Sequence, residues 1–289
     1  MNEGRRPALP PIPAVLGAIV SVQGGAAIAK GLFPVLGAAG TTGIRIGLSA
    51  AMLMLVFRPP LRGLGARHWR LVAPYGLVLG AMNLIFYLAL ERIPLGLAVT
   101  LEFLGPLTLA VVSSRRAVDF AWVAMAAVGI SLISPWAGGD VDLVGAAFAV
   151  LAGACWAAYI VVGGRVSRVL PGGPAVALGL SIATIAVLPF ALLGGGLARL
   201  TPSLVAAGAM VALLSSALPF TLEMFALGAM PARTFSILMS LEPAVAAICG
   251  LLFLHERLTA GQWTAVALVI AASAGATATA RTVAMRVES

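Results

Sequence analysis

The sequence predicts an all-α membrane protein: ten transmembrane helices in two inverted five-helix repeats around a central cavity, with both termini cytoplasmic. Three observations predict it. Of the 289 residues, 61% are hydrophobic and only 10% charged, and the mean hydropathy is +1.07; soluble domains carry roughly 25% charged residues. The apolar residues fall into runs close to the ~20 residues that a bilayer core requires. A segment of the first half recurs in the second, and each half holds an odd number of runs.

Gly, Pro and charged residues punctuate the chain into spans near 13–33, 36–57, 71–90, 95–114, 119–136, 142–164, 174–195, 204–228, 234–254 and 260–280. The first run, preceded by Arg5 and Arg6 and containing "AIA" at 27–29, imitates a secretory leader with a cleavage site. Because further spans follow it, the run reads as an uncleaved first helix. The longest polar connection, "RPPLRGLGARHWR" at 58–70, reads as a basic cytoplasmic loop that sets orientation.

Charge distribution gives the direction. With the N-terminus inside, Arg5, Arg6, Arg58, Arg62, Arg67, Arg70, Arg115, Arg116, Arg165, Arg168, Arg233, Arg281 and Arg286 share the cytoplasmic side, thirteen of the 18 Lys and Arg. Lys30, Arg92, Arg199 and Arg257 lie toward the outside, with Asp140 and Asp142. Cytoplasmic loops carry such an excess, so both ends are expected inside.

The repeat is visible when "ALERIPLGLAVTLEFLGPLTLA" (89–110) is set over "ALGAMPARTFSILMSLEPAVAA" (226–247). Pro94 meets Pro231 and Pro106 meets Pro243 at an offset of 137, and "RRAVDFAW" then meets "ERLTAGQW" at 141. The halves are expected over 1–138 and 139–289. Five spans per half place the second copy upside down relative to the first. Such halves can rock about a site at their interface, which points to transport.

Proline removes the hydrogen bond to the carbonyl four residues back and bends a helix. Pro106 frees the carbonyl of Glu102, and Pro243 that of Met239. Breaks of this kind survive in lipid only where they face protein or a wet cavity, so Pro94, Pro106, Pro219, Pro231 and Pro243 are candidate hinges. Five charges fall within spans: Lys30, Arg45, Glu102, Glu223 and Glu242. Each costs roughly 3 kcal/mol or more at the bilayer centre. Arg45 and Glu223, placed nearer span ends, read as structural pairs. Glu102 and Glu242 stand beside proline breaks, and function and structure remain open for both. Lys30 could hold a substrate carboxylate or an acid on a neighbouring helix. Asn83 and Tyr87 share a helix face at i, i+4, as Ser236 and Ser240 do, and Gln23 sits mid-span.

"SVQGGAAIAKGLFPVLGAAGTTGIR", "MNLIFYLALERIPLGLAVTLEFLGPL", "GACWAAYIV" and "LLSSALPFTLEMFALGAMPARTFSILMSLEPAVAA" resemble the threonine and homoserine exporters of bacterial inner membranes, within the drug/metabolite transporter superfamily. The resemblance covers nearly the whole chain. It implies a ten-helix basket with a central cavity open to alternate sides, a small amino acid as substrate, and Gln23, Lys30, Asn83, Tyr87, Glu102, Glu223, Ser240 and Glu242 as the matching polar positions. Relatives in the superfamily export aromatic amino acids and other small solutes, which is the alternative.

Other functions fit less well. The basic residues are scattered between apolar runs rather than gathered on a polar face, so the net charge of +8 speaks for membrane topology and the lipid bilayer as partner, not for nucleic acid. His68 and His255 lie beside loops, and Cys155 and Cys249 fall in separate apolar runs; no metal site and no cofactor are expected. No phosphate-binding loop motif occurs, so ATP does not drive the carrier directly. A proton gradient could couple through a buried carboxylate. An intramembrane enzyme would need a nucleophile and a base at one depth, and the histidines are misplaced for that.

Overall fold

A computed structural model describes residues 10–59, 61–112, 117–132, 141–230 and 232–279. Arg5, Arg6, Arg115, Arg116, Pro231, Asp140, Arg281, Arg286 and the expected 138/139 boundary between halves lie outside these residues. The described residues form thirteen α-helices and no strand. The first part of the chain holds α1 (Pro11–Gly31), α2 (Phe33–Phe57), α3 (Ala66–Leu90), α4 (Leu95–Glu102), α5 (Leu104–Val112) and α6 (Ala117–Ser131). The second holds α7 (Leu143–Val166), α8 (Gly172–Leu193), α9 (Pro202–Ala212), α10 (Leu218–Ala229), α11 (Ala232–Met239), α12 (Glu242–Leu254) and α13 (Ala260–Thr279).

Among the described residues, seven helical segments are long and apolar enough to cross a membrane, and three shorter apolar segments, Leu95–Leu109, Phe120–Gly129 and Pro202–Ala217, accompany them. Leu95–Leu109 and Pro202–Ala217 are short for local reasons. Pro106 withholds a donor from the Glu102 carbonyl, and the chain turns at Phe103 between α4 and α5. Pro219 does the same to Ser215, and a π-helical turn over Leu213–Ala217 joins α9 to α10. There the Ser21 hydroxyl donates to the Leu214 carbonyl at 2.6 Å, which satisfies part of the disturbed ladder. Pro243 stands in the first turn of α12, after a break at Ser240 and Leu241. Pro94 does not bend a helix: it is the N-cap of α4.

Two boundaries differ from expectation. The basic connection at 58–70 is shorter than its polarity suggests, because α3 already begins at Ala66 and carries Arg67 and Arg70 in its first turns. The second span begins at Phe33 rather than at 36, with a kink at Gly37, whose φ of 67° only glycine adopts readily.

The helices pack reciprocally. α2 faces α8, α6 faces α13 and α4 faces α12. α1 packs on α9 and α10 as α7 packs on α3, α2 lies on α9 as α8 lies on α3, and α11 and α12 flank α1 as α4 and α5 flank α7. α4 is the innermost element, buried at every position from Leu95 to Leu101. A helix apolar all round belongs in a core or a membrane. One backbone crossing is very close: a Cβ on Gly105 would lie 1.8 Å from the Gly153 carbonyl oxygen, and one on Gly153 would lie 2.4 Å from that of Glu102. The outer surface is oily, with Leu55, Val112, Phe120, Ile185 and Leu193 all at least 70% exposed, as lipid-facing side chains are.

Candidate functional site

A cavity of about 270 Å³ lies where the two parts of the chain meet. α1 contributes Gln23, α2 Arg45, α3 Asn83 and Tyr87, α4 Glu102, α7 Trp156, the π turn Ser215, α10 Glu223 and α12 Glu242. The helix breaks bring these groups together: Glu102 is the last residue of α4 and Glu242 the first of α12. Two further lobes share its walls. One of about 200 Å³ adjoins at Arg45, Asn83, Ser215 and Glu223 and reaches Tyr159 and Pro219. The other, about 360 Å³, adjoins at Trp156, Met239 and Glu242 and reaches Pro106, Ser236, Ser273 and Thr277. The central chamber suits a small solute, since drug-sized ligands need pockets of about 300–1,000 Å³.

The wall holds one guanidinium and three carboxylates. Arg45 Nη2 donates to Asn83 Oδ1, and Asn83 Nδ2 donates to the Leu79 carbonyl at 2.7 Å, which fixes the amide's orientation. The Tyr87 ring centroid lies 4.9 Å from Arg45 Cζ, within cation–π range. Among the described residues the ion pairs are Lys30–Glu256 and Arg92–Asp142, so no carboxylate stands within 4.0 Å of Arg45. The expectation that Arg45 and Glu223 serve as structural pairs finds no ion-pair partner for either residue among the described residues. α2 places Arg45 in the cavity wall, buried and without an acid partner among the described residues.

Of the eight polar positions singled out in the sequence, Gln23, Asn83, Tyr87, Glu102, Glu223 and Glu242 line this chamber. Lys30 and Ser240 line none of the three lobes. Lys30 Nζ donates to Glu256 Oε1 at 2.6 Å and to the Ile93 carbonyl at 2.7 Å, so its partner is an acid of the α12–α13 connection. Ser240 Oγ is bonded to Ser273 Oγ at 2.9 Å and donates to the Ser236 carbonyl. Pro106 and Pro219 border the lobes. Trp156, Ser215 and Arg45 belong to the wall and were not singled out as binding residues. A charged residue within an apolar span is the signal that Arg45 carries in the sequence.

At the far end of α1 a second set of contacts closes the bundle. Glu256 Oε2 accepts from the Leu95 amide at 2.7 Å, and Arg92 Nη1 meets Asp142 Oδ2 at 3.0 Å. Asp142 also accepts from the amides of Val144 and Gly145 as the N-cap of α7. The Gly145 amide foremost, and then Arg92, hold its carboxyl below the usual carboxylate range.

Comparison with known proteins bears on family and fold. The sequence profile of the EamA-like transporter family matches residues 143–278. The threonine/homoserine exporter RhtA of Escherichia coli strain K12 is 48% identical over 276 residues, covering 94% of this chain and 92% of the exporter. RhtA of Salmonella typhimurium strain LT2 is likewise 48% identical over the same shares. One solved crystal structure aligns with 93% of this chain and 99% of its own at a TM-score of 0.57 and 19% identity, a likeness of fold alone.

Proposed function

The chain belongs to the EamA-like transporter family, and from that premise we propose that it exports threonine, homoserine or similar small neutral amino acids by alternating access. It is a multi-pass protein of the bacterial inner membrane. The observation that carries the reading is the central chamber, where one buried guanidinium and three carboxylates face a space sized for a small zwitterion, in a chain 48% identical to a threonine/homoserine exporter. Gln23, Asn83, Tyr87, Glu102, Glu223 and Glu242 serve as binding groups, while Lys30 and Ser240 act from outside the wall by holding helices.

The architecture proposed is ten spans in two inverted halves, 1–138 and 139–289, with both ends cytoplasmic. α4 with α5, α9 with α10, and α11 with α12 each count as one broken span. The reciprocal packing supports two halves related by a pseudo-two-fold axis. The breaks at Pro106, Pro219 and Pro243 act as hinges, together with Pro94 at the start of α4 and Pro231. In this orientation the Lys30–Glu256 contacts seal the outer end, and the 360 Å³ lobe leads toward the cytoplasm. Glu102 and Glu242 offer places for a proton moving against the substrate. Phe86, Tyr87 and Trp156 in the wall favour aromatic amino acids as the second reading.

The test is an export screen. The protein is expressed in cells lacking their own exporters, which are loaded with each amino acid in turn. Faster extrusion of threonine or homoserine than from empty-vector cells is expected. If no amino acid leaves faster than from those controls, the substrate class is wrong.

A further inference from the structure

Arg45 is an anomaly among the chain's buried charges. It is only 8% exposed, and its guanidinium has five donors in a planar fork. One of them is bonded, to Asn83 Oδ1, and Nε is buried with no hydrogen-bond partner among the described residues. Burying a cation with unmet donors is costly unless something pairs with it. Three carboxylates share the cavity wall, yet none is within ion-pairing distance.

The surroundings hold the guanidinium without neutralising it. Asn83 is itself locked by its bond to the Leu79 carbonyl and presents only an amide oxygen. Tyr87, one turn further along α3, offers the face of its ring. Both are uncharged, so neither forms an ion pair with it, and its unmet donors remain for a ligand that enters the chamber. A planar fork matches a carboxylate, which it binds through two parallel bonds.

Resting on the amino-acid reading above, we infer that Arg45 is the subsite for the substrate's α-carboxylate, and that the carrier therefore requires a free carboxylate on what it moves. The α-ammonium then falls to the carboxylates of Glu102, Glu223 and Glu242 across the same chamber. Selection by Arg45 admits α-amino acids and rejects their amides, esters and decarboxylated amines, whatever the side chain.

The experiment is calorimetric titration of the purified full-length protein with threonine and with threoninamide, for wild type, Arg45→Lys and Arg45→Gln. Wild type is expected to bind threonine about 30-fold more tightly than the amide, the range of a charge-assisted hydrogen-bonded pair. Arg45→Gln should lower threonine affinity to the level of the amide while leaving the amide within about twofold of its wild-type value. Arg45→Lys should fall between, since an ammonium lacks the fork. Equal binding of threonine and threoninamide by wild type overturns the subsite, and so does unchanged threonine affinity in Arg45→Gln. Should the glutamine variant not fold, the ligand ratio in wild type and Arg45→Lys decides. Equal binding alongside threonine export from cells sinks the subsite and leaves the amino-acid reading standing. Carboxylate-dependent binding without export faster than empty-vector cells does the reverse. No binding of threonine or any other free amino acid overturns both.

Discussion

Lys30 Nζ and Glu256 Oε1 meet at 2.6 Å although 226 residues separate them in sequence. The ammonium also donates to the Ile93 carbonyl, and the carboxylate's other oxygen accepts from the Leu95 amide. One ion pair thus ties the last turn of α1, the α3–α4 connection and the α12–α13 connection. The two side chains are only 20% and 14% exposed, so solvent screens them little.

Removing either partner strands the other. Lys30→Ala and Glu256→Ala should each cost about 2 kcal/mol, between the surface and fully buried cases, read as a lower thermal midpoint of the purified protein. The exchange Lys30→Glu with Glu256→Lys should recover part of the loss and not all of it, because a lysine at 256 cannot accept from the Leu95 amide. A double-mutant cycle with no coupling between the two positions would contradict this account.

The Gly153 crossing should tolerate nothing larger. A Cβ there meets the Glu102 carbonyl oxygen at 2.4 Å, and backbone cannot step aside as a side chain can. Gly153→Ala is expected to destabilise by about 1–3 kcal/mol and to lower folded yield. Gly164→Ala is the control on the same helix: nothing lies within 4 Å of its Cβ position, and alanine should stabilise by about 0.5–1 kcal/mol. Equal yields of the two variants would show that the close approach does not matter.

Glu102→Gln and Glu242→Gln remove charge at nearly constant shape. If these carboxylates act on substrate or proton, export should fall about tenfold or more while folded yield stays within about twofold. Parallel loss of transport and yield would return both residues to a purely structural role.

The Asp142 cap, one residue before the apolar segment Leu143–Val166, carries a pH signature. Its carboxyl is held below its ordinary value by the Gly145 amide first, then by Arg92 and the Val144 amide. A group lowered in the folded state stabilises fully above its unfolded pKa, and that contribution disappears as pH falls through the lower, folded value. Wild type should therefore lose thermal stability relative to Asp142→Asn as the pH drops from about 5 toward about 2. A midpoint difference that stays constant across that range would rule the charged cap out.

Much of the fold could be read from local pattern. Apolar run length predicted the long helices, and Pro106, Pro219 and Pro243 predicted breaks, because a missing N–H acts on the carbonyl four residues away in the same helix; Pro94 instead caps α4, and the kink at Gly37 carries no proline. Pro106 and Pro243 accordingly mark breaks beside Glu102 and Glu242. The face shared by Asn83 and Tyr87 also needed only helical periodicity, and both residues line the chamber. The start of α3 was missed because a basic, polar segment carries the same signal whether it is loop or the exposed end of a helix.

The sequence by itself determined that this chain lives in a membrane, that its helices break at Pro106, Pro219 and Pro243, and which charges lie inside spans, since each of these depends on neighbours within a few residues. Only the tertiary structure decided which charges meet. Lys30 found Glu256 across the bundle, while Arg45 came to the central wall with three acids nearby and none in reach. Electrostatic pairing depends on distances of a few ångströms between separate helices, and the packing of those helices sets such distances.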